Sequence, residues 1–304
     1  MNTINVKITN PAITYDFAAT RKNCVKGFPC GYACISRLRQ CRKILEGQYR
    51  TAADWVAAQA ARRSVAAQVP RGYGDFGTII ERGRVWTKRL ENTQTPEQLF
   101  AEMENLERQL ISTGLTDAEV SAIYEKIKIT KTVNADAREG LRRAIQMSRG
   151  GIDGSEAGLE RVQARSKRAY AKKDQKLIDV GQPRRDMTMQ AVAMHEYAHH
   201  LEYSSNNARA AAKQWLVNRA TGQAQPLRKL TGRNYGIDEV ALPDSFIDPY
   251  VGRVYRSGST EVFSVGFQYF SDIRSMVKLW QGDRDHFNLV VGLLRSGSPP
   301  EVQS

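Results

Sequence analysis

No stretch of this chain is apolar for long: the longest strongly apolar run, around Leu289 to Leu294, falls far short of the roughly 20 residues that cross a bilayer. The opening, Met1-Asn2-Thr3-Ile4-Asn5, lacks the charged-then-apolar order of a secretory signal. The expected location is therefore the cytoplasm or a phage particle assembled there, with no membrane contact. Internal repeats and low-complexity tracts are absent, which excludes solenoid and fibrous architectures. Acidic residues are the minority, 32 against 45 Lys and Arg, for a net charge of +13. Histidine and cysteine are scarce, four of each in 304 residues, so the places where they gather carry information. What the chain does have is a 41% hydrophobic content, enough for a sizeable core.

The charge excess is uneven. The first fifty residues carry nine basic side chains against Asp16 and Glu46, and residues 161 to 185 carry nine against Asp174 and Asp179. Such patches attract polyanions, making nucleic acid or an acidic partner surface a candidate, although no recognised nucleic-acid module accompanies the charge and a solvated surface explains it as well. All four cysteines fall in the basic N-terminal part as Cys24-x5-Cys30-x3-Cys34-x6-Cys41, among the breakers Gly27, Pro29 and Gly31. Four thiolates match the ligand count of a structural zinc site, a second Zn2+ beside any catalytic one. No CxxC pair is present; two disulfides in an oxidising compartment, or unpaired thiols, are the alternatives.

The chain divides into a Cys-rich basic segment at 1–50, a helical region at 51–150 and a C-terminal domain at 151–304, with the break at Gly150-Gly151-Ile152-Asp153-Gly154-Ser155. A loop inside a single domain is the other reading of that break. Asp54 to Val69 is alanine-rich and reads as helix. Thr95-Pro96-Glu97-Gln98 and Thr116-Asp117-Ala118-Glu119 read as capping boxes, followed by Leu99, Met103, Leu106 and Leu110, then Val120, Ile123 and Ile127, at helical spacing. A further helix is predicted from Asp186 to Tyr203, with Met187, Ala191, Met194, Ala198 and Leu201 packed inward, and another ends at Gly222. Short β-prone pieces, Ser245-Phe246-Ile247 and Val251 to Tyr255, precede helices predicted over Thr260 to Trp280 and Asp285 to Leu294.

Two of the four histidines lie in Met194-His195-Glu196-Tyr197-Ala198-His199, an HExxH motif. Residues four apart are neighbours on a helix, so His195 and His199 can hold one zinc ion while Glu196, off their axis, takes a proton from water. His200 adjoins a ligand yet points about a quarter turn away, as an outer-sphere or surface residue. A catalytic site needs a third protein ligand. Glu202 and Ser205 stand where the metzincin pattern has glycine and a third histidine, which excludes that pattern, and His286 lies beyond an intervening helix. Glu261 is the preferred ligand. It opens an apolar helix on which Glu261, Ser264 and Gln268 share a stripe, and a carboxylate there is costly unless a cation neutralises it. Gly266 would let that helix approach the motif helix, with Ser264 and Gln268 orienting the ligands. Asp238, Glu239, Asp244 and Asp248 read as turn or surface acids; for Glu261 the alternative is a first-turn acid at a helix N-terminus.

His195-Glu196-x-x-His199 followed by Thr260-Glu261-x-x-Ser264 resembles the zincin metallopeptidases, in particular the gluzincin branch, whose third ligand is a glutamate on a later helix. The spacing from His199 to Glu261 is long for that branch, and its Asn-Glu-x-x-x-Asp form is absent. Asp248-Pro249-Tyr250 through Ser264 is similar to phage and prophage head-morphogenesis-associated peptidase-like proteins. The resemblance implies an α+β, predominantly helical fold with a zincin-like C-terminal domain behind the small Cys-rich segment. It implies hydrolysis of a protein or peptide substrate: zinc activates water and polarises the scissile carbonyl, Glu196 moves the proton to the leaving amine, and a nearby donor steadies the oxyanion. Tyr255 is the expected donor, with Tyr250 and His286 as alternatives. The competing expectation is a zinc-stabilised phage structural or nucleic-acid-associated protein without proteolytic activity.

Overall fold

The computed structural model describes residues 28–30, 33–35, 76–149, 152, 154–183, 186–220, 223–236, 238–255 and 259–295. The expected alanine-rich helix at Asp54 to Val69 lies outside these, as do Cys24, Cys41 and the sulfurs of all four cysteines. Cys30 and Cys34 enter only as backbone positions of two antiparallel strands, β1 (Phe28–Cys30) and β2 (Ala33–Ile35).

Four helices come first: α1 (Phe76–Glu91), α2 (Pro96–Ser112), α3 (Asp117–Lys126) and α4 (Ala135–Met147). Thr116 and Glu119 form a reciprocal capping box at α3. The α2 start is half of one: Thr95 accepts from the Gln98 N–H, but the Gln98 side chain reaches back to the Gln94 N–H. The stripe Leu99, Met103, Leu106 and Leu110 is fully inside, and each such burial contributes about 1.5–3 kcal/mol.

The basic stretch after residue 160 folds into a small sheet of order β3-β4-β6-β5, from β3 (Lys128–Ile129), β4 (Arg161–Gln163), β5 (Tyr170–Lys172) and β6 (Leu177–Asp179). β3, β4 and β6 run parallel, and β5 returns antiparallel to β6 at one edge. Three-residue strands carry too little alternation to be seen in the sequence. Asp179 ties the β4–β5 connection: its carboxylate accepts from Arg165 N, Ser166 N, Ser166 Oγ and Gly181 N.

The motif helix is α5 (Met189–Ser204), capped by Thr188 through the Ala191 N–H. It is not amphipathic. Thirteen of its sixteen residues are buried, because α4, the sheet and the next-but-one core helix each cover a side. Gly140 is what lets α4 come so close: a Cβ there would sit 2.6 Å from Gln190 Cα on the first turn of α5. α6 (Asn206–Arg219) follows, then β7 (Gln225–Pro226), α7 (Leu227–Thr231) and β8 (Val240–Ala241), which pairs with β7.

Neither β-prone piece becomes a strand. Val251 lies in a 3-10 turn, Pro249–Gly252, in which Asp248 caps the Tyr250 N–H, and Arg253 makes a single bridge to Ala241. The helix expected from Thr260 to Trp280 is two, α8 (Val262–Gln268) and α9 (Ile273–Gly282), joined by a 3-10 turn. Asp272 makes the break, since its extended backbone and its bonds to Ser275 N and Oγ start a new helix. α10 (Arg284–Leu294) closes the fold against α1. One apolar cluster of described residues runs from Ile79 to Leu294 and includes Met147, Ile152 and Ala157. Among the described residues no helix is long and apolar enough to cross a membrane.

Candidate metal centre

The turn that ends at Glu261 delivers its side chain across the face of α5. His195 Nε2 is 3.2 Å and His199 Nε2 3.3 Å from the same oxygen, Glu261 Oε2. Each of the three residues offers one ligand atom, these atoms lie within 4.8 Å of one another, and all three residues are buried, so the group could hold a metal ion. Glu261 is the N-terminal flank of α8 and makes no capping bond with its side chain, which turns to the histidines instead.

Surrounding groups fix two of the three in place. Ser264 Oγ donates to Glu261 Oε2 at 2.9 Å, and Gln268 Oε1 lies 2.9 Å from His195 Nδ1. The second histidine lacks such an anchor: His199 Nδ1 has no hydrogen-bond partner among the described residues. Tyr255 donates its hydroxyl to Glu261 Oε1. Beyond it, Tyr250 OH is 3.4 Å from Tyr255 OH and accepts from Arg253 and, at 3.2 Å, from Arg168. Arg253 is held in turn by Glu239 Oε1 at 2.5 Å.

Titration follows from this enclosure. Burial pushes the Glu261 carboxyl up, but the charge of His199 and hydrogen bonds from both histidines outweigh it and hold the group well below the usual carboxylate range. Burial lowers His199, yet the Glu261 charge prevails and carries it to about 9. In the metal-free protein, the proton on His199 balances the Glu261 charge. Burial raises Glu196, against the opposing pull of His195 and His199. Tyr255 is pushed well up by burial and by the adjacent Glu261 charge.

A cleft opens on two sides of His195 and Glu196, both of which line it in each direction, as do Arg168, Ala169 and Tyr250. On one side it runs past His199, Tyr255, Glu261 and the edge strand residues Tyr170 and Ala171. On the other it runs past Gln268, Val265, Arg233 and Tyr235.

Two further histidines stay outside. His200 Nε2 lies 3.3 Å from Leu177 O in the sheet, a buried structural contact. His286 bonds the Val262 carbonyl and is packed against Trp215, away from the cleft. Gly266 faces α10, not the motif helix: its missing Cβ makes room for His286 Nε2, 2.6 Å from where that atom would be. Glu239, taken from the sequence as a turn or surface acid, is instead a half-buried partner of two arginines. Glu202, three residues past His199, accepts from Thr260 N at 3.2 Å and from Thr260 Oγ1 at 3.1 Å. It thereby ties α5 to the residue before Glu261. An acid inside so apolar a helix was the available signal.

No protein-family model, curated protein or solved structure matches the chain.

Proposed function

We propose that the chain is a zinc-dependent metallopeptidase of gluzincin type, held together by His195, His199 and Glu261, with a zincin-like arrangement of motif helix, later glutamate and sheet edge. The observation that carries this reading is the convergence of the three ligand atoms with Glu196 in the same cleft. The donor set fits zinc. Bonds of about 2.0–2.1 Å at tetrahedral angles place ligand atoms about 3.3 Å apart, and the two histidine nitrogens stand 3.2 and 3.3 Å from Glu261 Oε2. Two imidazoles and one carboxylate leave a fourth position open, as hydrolysis needs.

When bound, zinc supplies a Lewis acid that acidifies water and polarises a carbonyl. The rest is done by side chains of this chain. Glu196, raised by burial, is suited to accept the proton of the attacking water and to hand it to the departing amine. Tyr255 commits its own proton to Glu261, so it steadies the ligand. Tyr250 accepts from two guanidiniums and donates only over a long contact of 3.4 Å to Tyr255 OH, a weak bond that its proton can exchange for one to an oxyanion. β5 closes one edge of the sheet, and among the described residues nothing pairs with its outer side, where a peptide backbone can add as a strand.

The test is metal analysis of the purified protein with a peptide library, cut with and without chelator. Glu196→Gln should keep zinc and fold while losing cleavage, and His199→Ala should lose the metal from this site. Cleavage by Glu196→Gln at the wild-type rate would sink the mechanism. The net charge of +13 favours a second reading, a zinc-stabilised phage structural or nucleic-acid-associated protein; it gains if the zinc-loaded wild type cuts nothing. A second, structural zinc at Cys24, Cys30, Cys34 and Cys41 remains a proposal from sequence. Four thiols that become reactive on chelation support it, and thiols that appear only on reduction support disulfides.

A further inference from the structure

We infer that the half of the cleft beside Gln268 is a subsite for a carboxylate of the substrate, received by Arg168 with Arg233 beside it. The inference rests on the peptidase reading and goes on to the class of peptide that the site prefers. This half encloses about 230 Å³, and Arg168 and Arg233 line it together with His195 and Glu196.

What decides the matter is how each arginine near the cleft is already occupied. Arg253 is bound: its side chain is 15% exposed, it holds Glu239 Oε1 at 2.5 Å, and it donates to Tyr250. Arg168 reaches that same Glu239 oxygen only at 3.3 Å, with both terminal nitrogens, and its side chain is 51% exposed. One carboxylate oxygen thus serves two guanidiniums, and the nearer claimant is Arg253. The remaining Glu239 oxygen accepts from the Gly236 N–H at 2.7 Å, and the Arg168 bonds go to the shared oxygen instead. Arg233 is also half-exposed and loosely paired, 3.5 Å from Asp248, with Asp186 and Tyr235 as further neighbours. Arg168 lies over the Tyr235 ring, 5.4 Å from its centroid, and Tyr235 stacks on Tyr250. Tyr250 OH also accepts from Arg168 at 3.2 Å, so the rings hold the guanidinium at the cleft wall through long contacts only.

A half-exposed arginine with long contacts can trade them for a short two-point pair with a carboxylate, the geometry its planar fork matches. Arg168 lines both halves of the cleft, so a carboxylate paired to it lies within a residue or two of the scissile bond. Two sources present this group: an Asp or Glu side chain, and a free peptide C-terminus. A basic residue at the same place meets two arginines and is disfavoured.

The experiment measures binding to the zinc-loaded Glu196→Gln protein, which separates recognition from turnover. Fluorescence anisotropy compares a neutral peptide with amidated C-terminus, the same peptide with Glu scanned through each position, and the neutral peptide with a free C-terminus. At least one carboxylate-bearing peptide should bind about tenfold tighter than the neutral one, the effect of a single charge-assisted pair. Which peptide it is identifies the source. Adding Arg168→Gln should erase the difference, and Arg168→Glu should reverse it in favour of Lys. Arg233→Gln should reduce the preference, and serves if the Arg168 variants fail to fold. Equal binding of all peptides, or a preference that survives both Gln variants, overturns the inference. An acid preference in a wild type that cuts nothing leaves the subsite standing and removes the peptidase reading.

Discussion

Glu202 offers the sharpest quantitative test of how this centre is built. It is 1% exposed, and its carboxylate accepts from both the N–H and the hydroxyl of Thr260. Burial carries its carboxyl up from the ordinary 4.5 to about 7, in spite of the opposing His199 charge and the Thr260 bonds. For an acid whose pKa is raised by folding, the folded chain keeps a proton that the unfolded chain has released. Stability contributed by this group is therefore intact below 4.5 and falls as pH rises toward about 7. At about 1.36 kcal/mol per pKa unit the full loss is about 3 kcal/mol, most of it between about pH 5 and pH 8. Glu202→Gln keeps an acceptor for Thr260 and carries no charge. Urea unfolding of the metal-free wild type and of this variant, at several pH values, should give a stability difference that shifts toward the variant by about 2–3 kcal/mol over that range. Glu202→Leu should instead be destabilised at every pH by stranding two buried donors, at about 1–3 kcal/mol each. A Gln-minus-wild-type difference that stays flat with pH would refute the reasoning, because the carboxylate would then bear no cost of enclosure.

Metal uptake should release protons. In the metal-free protein His199 sits at about 9, against its ordinary 6.5, because the Glu261 charge outweighs burial. The stability this gives is complete below 6.5 and lost as pH rises through about 9, and a bound metal requires the neutral ring. Calorimetry in buffers of different ionisation heat should therefore find about one proton expelled near neutral pH, with affinity climbing toward the plateau above His199's titration. Gly140→Ala should weaken the α4–α5 contact, costing about 1–3 kcal/mol in denaturant unfolding, because its Cβ meets backbone that cannot rotate away. Gln268→Leu should lower zinc affinity by about 10- to 100-fold with little change in metal-free stability, since it removes the oxygen that orients His195 through Nδ1.

How far the site was legible in the sequence depends on the range over which each contact acts. His195 and His199 share a face because a helix has 3.6 residues per turn, and the spacing alone says so. Ser264 and Gln268 were found for the same local reason, one and two turns beyond Glu261. The sheet was invisible because its strands are two or three residues long and pair across as many as 33 positions, as Lys128 does with Arg161. Gly266 was misread because a glycine in a helix announces a close neighbour without naming it, and the neighbour is α10. The α5 stripe Ala191, Met194, Ala198 and Leu201 is buried as expected but is only part of the buried surface: cover from three directions encloses the helix all round, and no single stripe can describe it.

What the sequence determined by itself is local chemistry: the caps that start α2 and α3, the paired histidines with Glu196 between them, and an acid on an apolar segment that had to find a cation or a proton. What tertiary structure decided is every relation between distant segments. It brought Glu261 to the histidines across 62 positions, tied Thr260 to Glu202, set Arg168 against Glu239 and Tyr250, and turned Tyr255 onto the ligand. The physical reason is that these contacts act over a few ångströms while their residues lie tens of positions apart, so only the packing of the core around α5 can bring them together.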